Sequence, residues 1–216
     1  MPVTKKRKST GKSTGKSAKS GSKYGSNIGK TSKRTNAIIT MIVGAGVVIG
    51  GAFWWINAQQ TSALKSETEA LAVQGNAALS QVQTTPNQGN RHLGIGEKKN
   101  YGEPYPTSGD HASASIKPGF YARIMPATGL VHSLEHGNVV IYYDQPSDAV
   151  IDQLKALAAL YTGSWDGIVV TRTQGLGQQL ILTAWTKSLR LPVFDQAATA
   201  AFMDAYRGRG PENKVR

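Results

Sequence analysis

Cysteine is absent from the 216 residues. With it go disulfides, thiolate zinc ribbons, iron–sulfur clusters, thiol redox chemistry and cysteine nucleophiles. The fold must therefore rest on an apolar core, for which this length and a hydrophobic content of 39% suffice. Acidic residues are missing from 1–36, a segment that holds eleven of the 25 Lys and Arg. The other fourteen stand against all 13 Asp and Glu, so the net charge of +12 belongs to the first segment and the rest is close to neutral. Residues 37–56 carry no charge of either sign. Histidine is scarce: there are four, all between residues 92 and 136.

Segment 1–36 is built from Lys, Ser, Gly and Thr, with almost nothing to bury, and is expected to be a disordered tail. Its GKSTGKS run imitates a phosphate-cradling loop. Gly11 and Gly15 are separated by three residues where that loop needs four, no strand precedes them, and the fault recurs between Gly25 and Thr31. Nucleotide binding is excluded on this ground.

The charge-free segment AIITMIVGAGVVIGGAFWWI, residues 37–56, has twenty residues. As a helix it would extend about 30 Å, enough to cross a bilayer core. Trp54 and Trp55 close one end and the basic block flanks the other, which predicts a single-pass transmembrane helix with a cytoplasmic N-terminus and an extracytoplasmic remainder. A cleaved secretory signal, cut near Ile56-Asn57-Ala58, is the alternative, but the apolar region is long for that role. With the anchor in place the basic tail is an orientation signal in contact with anionic membrane lipid, and nucleic acid is not expected as a partner. The small-xxx-small run GVVIG, residues 46–50, offers a face for pairing with another membrane protein or with a second copy.

Residues 57–90 read as a stalk or linker. Leu64, Leu71, Ala78 and Val82 recur at near-heptad spacing, and TTPNQGN then breaks the helix. From 91 to 216 the character is that of an extracytoplasmic α+β domain. GFYARIM and VVIYY read as strands, and residues 147–160 as a capped helix with Val150, Ile151, Leu154, Leu157 and Leu160 on one face. GIVVTR and QLILTAW read as a strand pair joined by a Gly-containing turn, and residues 195–206 as a closing helix. The expected architecture is a small, mostly antiparallel sheet with two packed helices.

The chemistry is concentrated in NRHLG (His92), YPTSGDH (His111) and VHSLEHG (His132 and His136). His132 and His136, four apart, share a face if the segment is helical, and the Pro-Thr-Ser-Gly turn before His111 is a positioning device. Each histidine alone is well explained as a loop residue satisfying backbone groups. All four together, none in the tail, stalk or last eighty residues, predict a metal site using His92, His111, His132 and His136, suited to one Cu(II) or Zn(II) ion. His132-Ser133-Leu134-Glu135-His136 also matches H-x-x-E-H, the inverted zinc-peptidase motif, in which Glu135 would be the general base and Glu212 the distal ligand. Against that hydrolase reading, Gly137 and a β-branched run leave no room for the long helix that carries the motif.

RHLGIGEKKNYGEPYPTSGDH, GFY, LVHSLEHGNVVIYY and the terminal YRGRGPE, behind one N-terminal apolar segment, resemble the bacterial domain-of-unknown-function family numbered 3105. The similarity covers roughly residues 87–212. Members typically have Pro-Pro-Thr-Ser-Gly-Pro-His where this chain has Tyr105-Pro106-Thr107-Ser108-Gly109-Asp110-His111. The resemblance implies that His92, His111, His132, Glu135 and His136 occupy motif positions, and brings no established activity. The sequence is compatible with an anchored metal-binding or accessory protein, a metal-dependent hydrolase, and a purely structural domain docking on a membrane complex.

Overall fold

The computed structural model describes residues 54–216 together with Ala52. The basic tail expected at 1–36 and most of the membrane segment expected at 37–56 lie outside the described residues. Among the described residues no helix is long and apolar enough to cross a membrane.

A helix over residues 54–74 (α1) comes first. A 3-10 turn, Asn76–Gln81, and the two-residue strand β1, Gln83–Thr84, follow it. The end of α1 packs on the domain: Ala72 is buried, and Gly75 sits so close to the Ala197 carbonyl that a Cβ would collide with it. Part of the segment read as a stalk is thus built into the domain, and β1 joins its sheet.

After the short strand β2, Gly119–Tyr121, the helix α2 covers Ala127–Glu135, and β3 is Val139–Tyr143. Asp148–Leu160 (α3) then leads into β4, Ile168–Arg172, which pairs parallel with β3 from Val139↔Ile168 to Tyr143↔Arg172. β2 lies parallel on the other side of β4. β5, Leu180–Ala184, is antiparallel to β3 and turns back into β6, Lys187–Leu191, on whose far edge β1 pairs. The chain closes with α4, Gln196–Tyr206.

The sheet therefore has six strands in the order β1-β6-β5-β3-β4-β2 and is mixed, which corrects the expectation of a small, mostly antiparallel sheet. The joined pair expected from GIVVTR and QLILTAW does not form, because β3 lies between β4 and β5. A strand, a 13-residue helix and a strand fit a parallel crossover, and β3 is buried along its whole length, as a central strand must be.

Alternation along the strands creates two faces. Ile141, Ile168 and Leu182 point to one side, where Leu154 of α3 and Phe202 of α4 cover them. Val140, Tyr142, Val169 and Ile181 point to the other and meet Leu130 and Leu134 of α2. The Ser147 hydroxyl accepts from Val150 N–H to start α3, and the Asp195 carboxylate accepts from Ala198 N–H to start α4; such caps are each worth about 1 kcal/mol. α2 has no side-chain cap and stops where Gly137 adopts φ +98°. Its last turn, carrying the histidine motif, is consequently held by the sheet beneath it and the loops around it.

Candidate metal centre

Three parts of the chain meet at the end of α2. His132 and Glu135 lie on its last turn, and His136 is its C-cap. His111 follows the Pro-Thr-Ser-Gly turn, which is pinned at several points: Thr186 N–H donates to the Thr107 carbonyl (2.9 Å) and Gln88 N–H to the Ser108 hydroxyl (3.0 Å). His92 is brought alongside by an isolated parallel bridge to His111, in which Leu93 N–H donates to His111 O (2.7 Å) and His111 N–H to Arg91 O (3.0 Å). Arg91 clamps this strap, pairing with Glu97 at 2.6 Å and Asp110 at 2.9 Å.

The hydrogen bonds fix the imidazole tautomers. His111 Nδ1 is 2.8 Å from the Gly109 carbonyl and His132 Nδ1 is 2.8 Å from the Ala112 carbonyl. A carbonyl can only accept, so both Nδ1 atoms carry a proton and donate it, leaving Nε2 as the atom that could bind a metal. His111 Nε2 is fully buried and has no hydrogen-bond partner, yet lies 3.0 Å from Glu135 Oε2. Two acceptors do not approach in this way without a proton or a cation to share. His92 Nε2 stands 4.0 Å from the same oxygen. One ligand atom from each of His92, His111, His132 and Glu135 falls within 4.8 Å of all the others.

Burial and the neighbouring imidazoles hold the His132 pKa below the ordinary histidine value, against the pull of its bond to Ala112, so this ring is neutral near pH 7. Glu135 is almost wholly buried, and a buried carboxylate among imidazoles needs a compensating positive charge. His92, with its side chain 51% exposed, is the open side of the group.

His136 goes elsewhere. Its Nε2 lies 3.1 Å from Glu212 Oε2, and its ring lies against Trp165 with centroids 4.2 Å apart. Three of the four sequence-selected histidines therefore gather around Glu135, while the fourth turns to the C-terminal segment, and His132, His136 and Glu212 form a second close group. The H-x-x-E-H motif lies on α2, a helix packed on the sheet beyond the two expected, which the sequence offered only as a condition for His132 and His136 to share a face; Glu135 is engaged with His111. Sequence reasoning placed Glu135 only as a general base and gave no role to the Gly109 and Ala112 carbonyls. Backbone acceptors leave no residue-type signal.

Fold and site together define an α+β protein with a mixed sheet and a buried histidine–glutamate cluster at the end of one helix. Residues 92–216 match the family described as "Protein of unknown function (DUF3105)", and the chain belongs to that family. No curated protein and no solved structure matches it.

Proposed function

We propose that this protein holds one Zn(II) or Cu(II) ion through His92, His111, His132 and Glu135, in a domain that residues 37–56 anchor on the outer side of a membrane. One observation carries the metal reading: the buried Nε2 of His111 and Oε2 of Glu135 meet at 3.0 Å while Nδ1 of His111 is committed to a carbonyl. Ligands held at about 2.0–2.2 Å from a shared ion come this close to one another. A set of neutral imidazoles with one carboxylate suits Zn(II) or Cu(II), whereas Mg(II) and Ca(II) prefer oxygen throughout.

A binding or accessory role fits better than hydrolysis, because a Glu135 that ligates the ion is not free to activate water. The anchor rests on the charge-free segment and its one-sided basic flank, which also supplies contact with anionic lipid. The test is elemental analysis of the full chain, purified in detergent, exposed to excess Zn(II) or Cu(II) and desalted. About one ion per chain is expected for the wild type, with loss of that ion in His132→Ala and Glu135→Ala. Equal metal content in all three, or none in the wild type, would refute the reading.

A further inference from the structure

The second group has His132 in common with the first, and its other two members, His136 and Glu212, take no part in holding the first ion. Glu212 stands in the C-terminal GRGPEN stretch, itself outside any helix or strand. The backbone nevertheless brings it to His136 with care. Gly208 N–H donates to Gly137 O at 2.8 Å, Glu212 N–H reaches Glu135 O at 3.4 Å, and Gly210 crosses the end of α2 so tightly that a Cβ would collide with Glu135 O. His136 keeps a buried Nδ1 with no hydrogen-bond partner, so a simple ion pair with Glu212 leaves one of its nitrogens unsatisfied. The Trp165 loop backs the ring and is itself held by the 2.8 Å pair between Arg207 and Asp166.

We propose that His136 and Glu212 form a second, weaker cation site that shares His132 with the first. This rests on the metal reading given above. The sharing follows from the tautomer: His132 Nδ1 donates to Ala112, so only Nε2 is available, and one nitrogen lone pair serves one ion at a time. When the first site is loaded, a second ion has His136, Glu212 and water. When the first site is disabled, His132 becomes free to join them. The two sites are therefore negatively coupled through one side chain, and the ligand class is again a d-block cation with nitrogen affinity.

Each site has its own reporter, since the Trp185 ring stands 6.4 Å from His111 and Trp165 lies against His136. The experiment is a Cu(II) titration of the full chain in detergent, followed by quenching of tryptophan fluorescence in Trp165→Phe and Trp185→Phe backgrounds. Two phases are expected, the tighter reported by Trp185 and the weaker by Trp165. Glu212→Gln should weaken the second phase by about tenfold or more and leave the first in place. His92→Ala, a change at a half-exposed side chain, should weaken the first phase and tighten the second. A first phase that loads normally, with a Trp165 signal indifferent to Glu212→Gln, would overturn this inference alone. A second phase unmoved by His92→Ala would overturn the sharing of His132. Absence of any Cu(II) binding would overturn the metal reading beneath it.

Discussion

His132 is the side chain on which both groups turn, and its environment makes a pH prediction. Its folded pKa is depressed by burial, while in the unfolded chain it takes a proton near ~6.5. Between those values the unfolded state binds more protons, so stability is full above the unfolded pKa and is lost as pH falls below it. With a chelator present, the thermal midpoint should drop from about pH 7.5 to about pH 5.5, and His132→Asn should flatten that drop. An unchanged slope in the variant would remove His132 as the cause. The Arg91 clamp does not share this window, because its hydrogen bond holds the Glu97 carboxyl at about 2 and the pair stays ionised. Arg91→Ala should weaken metal binding about tenfold by freeing the His92 strap, with partial recovery in Arg91→Lys, as read by competition with a chromogenic chelator. Unaltered affinity would show that the clamp does not position His92. The histidine set itself was legible because four such residues crowd one short stretch of a long chain. The exchange of His136 for Glu135 was not, since it depends on where residues 209–212 pass in space.

At the scale of elements, α3 was readable from its apolar spacing and the cap at its start, and α4 as a closing helix. Pairing was not. Two β-rich segments close in sequence suggested a hairpin, but the helix between β3 and β4 makes those strands parallel neighbours and sends β5 to the other side of β3. The turn that does form, at Trp185 and Thr186, uses a non-glycine residue at φ +60° and so carries no glycine signal. The end of α2 provides the sharper test. Gly137 has φ +98°, and a Cβ there would stand 2.7 Å from Gly210 N and 2.9 Å from Trp165 O. Gly137→Ala should cost roughly 1–3 kcal/mol of stability in a urea titration. It should also separate His136 from Glu212. A variant as stable as the wild type would mean that the helix end and the C-terminal segment are not locked together.

For the whole molecule, the division of charge between residues 1–36 and the rest predicts orientation as well as anchoring. A reporter active only outside the cytoplasm, fused after Arg216, should be active, and the chain should stay with the membrane fraction. Activity from a cytoplasmic reporter alone would reverse the topology, and release into the medium would favour a cleaved signal. On that topology the proposed metal centre would face the outside, with His92 as its exposed edge. Because the account turns on three imidazoles and one carboxylate around a single ion, X-ray absorption of the chain loaded with one equivalent of Zn(II) tests it most directly. The prediction is a first shell at about 2.0–2.1 Å with the multiple-scattering signature of three imidazoles and one oxygen ligand, reduced to two imidazoles in His111→Ala. A shell of water oxygens without that signature, or one that His111→Ala leaves unchanged, would contradict it.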